Sequence, residues 1–404
     1  MAERIDTVII GGGSVGCAIA YTLSPSRQVL LIEQEPQIPS DNQSTRNSGV
    51  IHAGIYYERN RSPLKASLCV KGNAMLYVFC QEHEDAVPCK MTGKLVVATS
   101  EDELPFLNYT RDIGLENSVP ALRILNGSEM RRLEPNVSGI AALLAPTSGV
   151  IDPAAYVKKL KTLSEARGAL ILTGTKVIAA SHNEVITLTV ESNGTTYTIE
   201  AINVINASGL YSDEVARMIN PRSEYVITPV RGEIAKFNHR KRPDISIRGM
   251  NIYPVFTGYE NDTGRNVKVS LDEFLSLESR GKITRTVGVH ITPTFDTTSS
   301  TSALGTTAII GPLKTVDVGK TDYTTCLKDP DSYFDRIKGF FPHIRRDDIS
   351  LHYTGIMAVP SGHSDFIIER DPVIRRCIQL IGIDSPGLTA SLAIGEYVGN
   401  MLNS

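Results

Sequence analysis

The chain has 404 residues, 41% of them hydrophobic and 21% charged, and a formal charge of −3 at neutral pH. That length exceeds what one hydrophobic core usually organises, so two domains are expected, and the ordinary composition excludes a disordered or fibrous chain. The small negative charge offers no electrostatic footing for nucleic acid or an anionic membrane surface, and no apolar run approaches the ~18 residues of a membrane span.

From Ile5 onward the chain enters an apolar run, with no basic or signal-type segment before it. The six cysteines form no CxxC pair and no metal-like spacing with histidine, so a reduced, cytoplasmic setting without a metal is expected. Residues 7–10 are a short β-branched run that ends in a GxGxxG turn, Gly11, Gly13 and Gly16, and passes directly into a helical stretch. A second buried strand at 29–32 closes on Glu33 and Gln34. Strand, glycine turn, helix and acidic residue together form a dinucleotide-binding pattern. Gly11 permits the tight turn, Gly13 lets the backbone approach a pyrophosphate, and Gly16 lets helix and strand pack. The helix start at Ser14 and Val15 presents amides and a partial positive charge to phosphates. Glu33 is placed to accept hydrogen bonds from a ribose. This pattern serves FAD and NAD alike.

Next comes a loop dense in reactive side chains, Ser44 to Tyr57. Near the middle, a strand at 202–206 runs into the small-residue turn Ala207, Ser208, Gly209. Near the end, a strand at 378–383 breaks at Pro386 and Gly387, and a closing helix follows through Leu388 and Thr389. Strand–glycine–helix elements at the start, middle and end of the chain indicate one nucleotide domain built from discontinuous pieces.

Several stretches carry a family resemblance: residues 46–57 (Arg46 to Tyr57), residues 64–72, Arg231-Gly232-Glu233, Gly288-Val289-His290, Gly311-Pro312 and residues 385–396. On these the sequence resembles the D-amino-acid-oxidase/glycerol-3-phosphate-dehydrogenase superfamily of flavoproteins, and within it the L-2-hydroxyglutarate dehydrogenase/oxidase branch. The resemblance implies an α/β fold in which a discontinuous Rossmann-like FAD-binding domain (1–85, 146–222 and 350–404) joins an α+β substrate domain with a mixed or antiparallel sheet (86–145 and 223–349). It implies FAD as cofactor, with Thr45, Arg46, Asn47 and Ser48 between the phosphates and the ribityl chain and Val177 beside the adenine.

The implied reaction takes a 2-hydroxy acid, by family default L-2-hydroxyglutarate, to the 2-keto acid by hydride transfer to flavin N5. The hydroxyl proton then needs a base near neutrality, which imidazole supplies. His52 is the first candidate, with covalent tethering of the flavin or a structural hydrogen bond as its rivals. His290, in a β-like run, is the second. Residues His52 to Tyr57 lead the chain past the flavin, so Tyr57 is a candidate substrate contact. The helix after Pro386-Gly387 would aim amides at the charge that develops on the reduced ring. A dicarboxylate needs cations, and Lys65 and Arg231 lie in matching segments.

Two departures stand out. Where the branch usually has an arginine after Gly355-Ile356, this chain has Met357 at the substrate position, and a thioether cannot hold a carboxylate. Residues 256–285, including Asn261 to Asn266, are an extra polar segment with a possible short helix at 270–278; it would be a lid, a partner surface or a neutral insertion. An amine, amino-acid or specialised-metabolite oxidase, and a flavin-binding protein without turnover, remain as alternatives. The electron acceptor would be oxygen, quinone or a protein carrier.

Overall fold

The computed structural model describes residues 4–262, 265–296, 302–316 and 318–404. Met1 to Glu3 and, within the inserted segment, Thr263 and Gly264 lie outside the described residues. Two eight-stranded sheets organise the remainder.

The β-branched run Ile5–Ile10 takes the centre of the first sheet, in parallel with Val29–Ile32 on one side and Thr195–Asn206 on the other. Leu170–Leu172 extends the parallel run beyond Val29–Ile32, and Cys377–Ile381 pairs in parallel with the far end of Thr195–Asn206. Strands covered on both faces need apolar residues throughout, which is why these segments do not alternate. The helices Ser14–Leu23, Pro153–Ala166 and Gly387–Asn403 share one core with this sheet through Ile9, Ile19, Leu160 and Ile394. Segments from the start, middle and end of the chain thus meet in one sheet.

The second sheet runs Ile349–Pro360, Ile227–Asn238, Leu304–Thr315, His290–Phe295, Asn251–Pro254, Lys94–Ala98, Ala141–Ala145 and Arg123–Asn126. Only the pair Asn251–Pro254 and Lys94–Ala98 is parallel, so the sheet is mixed, as expected. One boundary needs correction. Ile349–Pro360, expected to begin the last piece of the nucleotide domain at residue 350, is hydrogen-bonded along its length to Ile227–Asn238 and closes an edge of this second sheet.

Residues 256–285 are not a loose loop. Thr257–Glu260, Asn266–Val267 and Ile283–Thr286 form a small sheet, and the helix Leu271–Ser279 starts after Ser270, whose hydroxyl accepts from the Glu273 amide. Phe274 is buried against Phe106 and Phe256 at 5.7 and 5.3 Å between ring centres. Arg285 pairs with Glu278 at 2.6 Å and with Glu58 at 2.7 Å, which fastens the insertion to the loop that carries His52. Among the described residues no helix is long and apolar enough to cross a membrane, and no group of His, Cys, Asp and Glu could hold a metal ion.

Candidate active site

One cavity of about 560 Å³ runs from the glycine turn of the first sheet to the face of the second. At its first end the lining includes Gly11, Gly13, Ser14, Val15, Glu33 and Gln34, with Val177 and the turn Ala207, Ser208 and Gly209 beside them. Gly11 has φ +112°, a conformation L side chains rarely adopt. Gly16 lies beneath the wall, not in it: a Cβ there would stand 1.9 Å from the Gly11 carbonyl oxygen, so its part is to seat the helix on the turn. The buried Glu33 carboxylate accepts from the amides of Gly12 at 2.6 Å and Glu35 at 2.9 Å. Burial raises its pKa, against the pull of these amides.

The loop from Ser40 to Gly49 crosses next. Ser44, not Thr45, reaches the first helix, its hydroxyl accepting from the Ser14 amide at 2.8 Å. Thr45 is absent from the lining: its hydroxyl donates to the Ser40 carbonyl at 2.8 Å and accepts from the Asn42 amide, the local backbone bonding that a short hydroxyl favours. Arg46, Asn47 and Ser48 do line the cavity. Arg46 donates to the Thr354 carbonyl at 3.0 Å, pairs with Asp41 and lies over the Tyr323 ring at 4.6 Å. The crossing requires Gly355, because a Cβ there would come within 2.1 Å of the Arg46 carbonyl oxygen.

At the other end the second sheet supplies the wall. Opposed residues of neighbouring antiparallel strands share a face, and side chains alternate along each strand. Gly232 is opposed by Lys314 on one side and Gly355 on the other, and Met357 follows Gly355 on the same face. Gly232, Lys314, Gly355 and Met357 accordingly line the cavity.

That alternation turns Arg231 away. It is 1% exposed, pairs with Glu233 and Asp322 at 3.2 Å each, and donates to the carbonyls of Asp322 and Thr325. A guanidinium so occupied on the far side of the sheet does not reach a substrate, and the expectation for Arg231 is corrected. Lys65 is likewise buried, in an ion pair with Asp384 at 2.7 Å; Asp384, not Lys65, lines the cavity. Tyr57 also stands behind the wall, with its hydroxyl 3.5 Å from that of Ser385.

His52 and His290 both face the cavity. The His52 amide donates to the Thr389 hydroxyl at 3.0 Å and its carbonyl accepts from Asn73, so the loop is pinned between two helices. His52 Nε2 lies 3.3 Å from the Ser385 hydroxyl, and Nδ1 is buried without a partner. His290 stacks on Tyr253 at 3.9 Å and 9°, with Nδ1 3.3 Å from the Gly288 carbonyl and Nε2 unpartnered. Burial, then the Lys94 charge, lowers the pKa of His52 well below the usual imidazole value and that of His290 to about 3. Both shifts favour the neutral ring.

Lys314 is the cation that sequence reasoning missed. It has no hydrogen-bonded or ion-paired partner among the described residues, and the surface it exposes faces the cavity. Surrounding protein lowers its pKa, the Asp384 carboxylate raises it and Lys65 lowers it. Its only sequence signal is its place two residues after Pro312 on an alternating strand. Ser385, Asp384 and Tyr253 were missed as well.

Pro386, Gly387, Leu388 and Thr389 line the cavity beside His52, at the start of the helix Gly387–Asn403. The Gly387 amide is used by the Asp384 carbonyl, but the amides of Leu388 and Thr389 belong to a first turn that has no intrahelical acceptors. A glycine cradle with a helix terminus at one end and a second helix terminus at the other fits the pyrophosphate and the ring of an FAD laid along the cavity.

Comparison with known proteins agrees with this geometry. The profile of the family described as FAD dependent oxidoreductase matches residues 6–401. The chain is 30% identical to L-2-hydroxyglutarate dehydrogenase, mitochondrial, of Arabidopsis thaliana, over 98% of this chain and 83% of that protein. It is 29% identical to L-2-hydroxyglutarate dehydrogenase of Indibacter alkaliphilus, over 97% of each. Among solved structures, dithionite-reduced L-alpha-glycerophosphate oxidase from Mycoplasma pneumoniae with FAD bound superposes with a TM-score of 0.81 at 25% identity, covering 100% of this chain and 95% of that one.

Proposed function

The chain belongs to the FAD dependent oxidoreductase family, an enzyme with FAD as its cofactor, and from that premise we propose that it oxidises a small 2-hydroxy acid, L-2-hydroxyglutarate to 2-oxoglutarate first among them. The carrying observation is the convergence of two neutral imidazoles and one unpaired ammonium group, His52, His290 and Lys314, on the end of the cavity beside Pro386 to Thr389.

FAD, when bound, supplies the acceptor for the electron pair and hydrogen of the substrate C–H bond. The residues do the remainder. His52 takes the hydroxyl proton on a ring nitrogen; a neutral imidazole has the free lone pair this requires. His290, on the opposite wall, holds the substrate oxygen or stands in as base. Lys314 anchors a carboxylate in place of the missing arginine at 357, and the first-turn amides of Leu388 and Thr389 would help hold FAD, where they could offset negative charge. Arg285 and Glu58 fasten the insertion to the loop that carries His52. The six unpaired cysteines suit a reducing, cytoplasmic compartment. The electron acceptor would be oxygen, a quinone or a protein carrier.

Anaerobic addition of a panel of hydroxy and amino acids tests the reading. Bleaching of the long-wavelength flavin band by 2-hydroxy diacids supports it. Bleaching by amines or amino acids alone would favour the alternative that the thioether of Met357 suggests, and no bleaching would leave a flavin-binding protein without turnover.

Lys314→Met is expected to raise KM for a 2-hydroxy diacid about 10- to 100-fold, the worth of one charged hydrogen bond, with a smaller effect on kcat. Adding Met357→Arg to that variant should lower KM again, since both positions lie on one face of the sheet. A KM that ignores both changes would remove Lys314 from the site.

A further inference from the structure

Lys94 lies behind the site and takes no direct part in the reaction. It is wholly buried at the start of the strand Lys94–Ala98. In register it is opposed by Asn251, so Tyr253, two residues further on, points to the same face. Its ammonium sits 3.7 Å from the centre of the Tyr253 ring and 5.1 Å from that of Tyr56. Tyr253 is the ring on which His290 stacks. Lys94 Nζ has no hydrogen-bond partner, and the buried ring atoms His52 Nδ1 and His290 Nε2 have none either.

The titratable groups around it come from five elements. The loop after Ile51 supplies His52 and Tyr56, the helix Pro63–Glu82 supplies Cys69, and the strands supply Tyr253 and His290, with Lys314 as a second cation felt at His290. Burial pushes the phenols of Tyr56 and Tyr253 and the thiol of Cys69 upward, so all three stay neutral. No anion among the described residues offsets the ammonium. An unpaired buried charge is costly, and an apolar side chain of like length would serve packing better.

We propose that Lys94 is a positioning residue for the reaction: its charge, held on Tyr253, resists protonation of His52 and His290 as the pH falls and so extends their proton-accepting form into acid. This rests on the reading of the two histidines as the proton-accepting pair. Burial lowers Lys94 to about 7, so its ammonium is fully charged on the acid side, where an imidazole would take up a proton, and fades above that. Burial is the larger influence at both histidines and Lys94 the second.

The test uses FAD-loaded protein and two readouts. Ring signals of His52 and His290, assigned through His52→Asn and His290→Asn, are followed by NMR from about pH 8 down to about pH 2.5. In Lys94→Met the protonation of at least one ring is expected to move up by about 1 unit, and the acid limb of the flavin-reduction rate to move with it. Lys94→Arg, which keeps the charge, should return both to the wild-type position. The Tm of Lys94→Met should equal or exceed that of the wild type; a purely structural lysine would lower Tm and leave the histidines unmoved. Unchanged histidine titration in folded Lys94→Met overturns the proposal. Should the methionine variant not fold, Lys94→Gln removes the same charge, and its histidine titrations decide the matter in the same way. If no hydroxy acid reduces the wild-type flavin, the proposed function falls while the NMR arm still decides Lys94.

Discussion

His52→Asn is expected to keep FAD bound and to slow reduction of the flavin by substrate by about 10²-fold or more, the scale of a lost general base. Asparagine can still hydrogen-bond to Ser385, but its amide cannot take a proton. The loop itself should survive, because it is held by backbone bonds to Thr389 and Asn73, not by the ring. Stopped-flow reduction under anaerobic conditions reads the effect directly. The pH profile gives a second measure. A base with a lowered pKa works wherever it is unprotonated, so the wild-type rate should stay flat as pH falls through 6.5 and decline only further into acid. An unchanged rate in His52→Asn, with a large loss in His290→Asn, would transfer the role across the cavity.

The first half of the cavity was legible because its chemistry is local in sequence. A glycine turn between a β-branched run and a helix has few other uses, and Gly11, Gly13, Ser14, Val15, Glu33 and Gln34 lie together as that pattern requires. The loop from Arg46 to His52 and the turn at Pro386 were legible through resemblance alone; nothing in their spacing brings residues 52 and 389 within hydrogen-bonding distance.

The substrate end was harder because strand register decides it. Arg231 and Gly232 are neighbours in sequence, yet one faces a buried ion-pair network and the other the cavity. Which parity faces inward depends on the pairing with Leu304–Thr315 and Ile349–Pro360, and both ladders contain an irregularity that shifts the count. Lys314 was hidden for the same reason. Lys94 was hidden more deeply, since a lysine within an apolar strand reads as an edge residue until the sheet on both sides of it is known.

Arg231→Met is expected to lower stability by about 3–5 kcal/mol, because removing one member of a buried ion pair strands the other. The stranded group is Glu233, 2% exposed, whose carboxylate keeps, among the described residues, only the Thr315 hydroxyl and the Lys328 amide as partners. The same change frees the segment from Asp322 to Thr325, which Arg231 grips through two carbonyls and which carries Tyr323 into the cavity wall under Arg46. The loss should therefore appear in denaturant or thermal unfolding and in weaker FAD retention, while KM for substrate in the FAD-loaded fraction stays near the wild-type value. Adding Glu233→Gln should recover part of the stability, since the penalty belongs to the unpaired charge more than to the lost contact. A large rise in KM with unfolding unchanged would instead return Arg231 to the substrate site, which the register of its strand argues against.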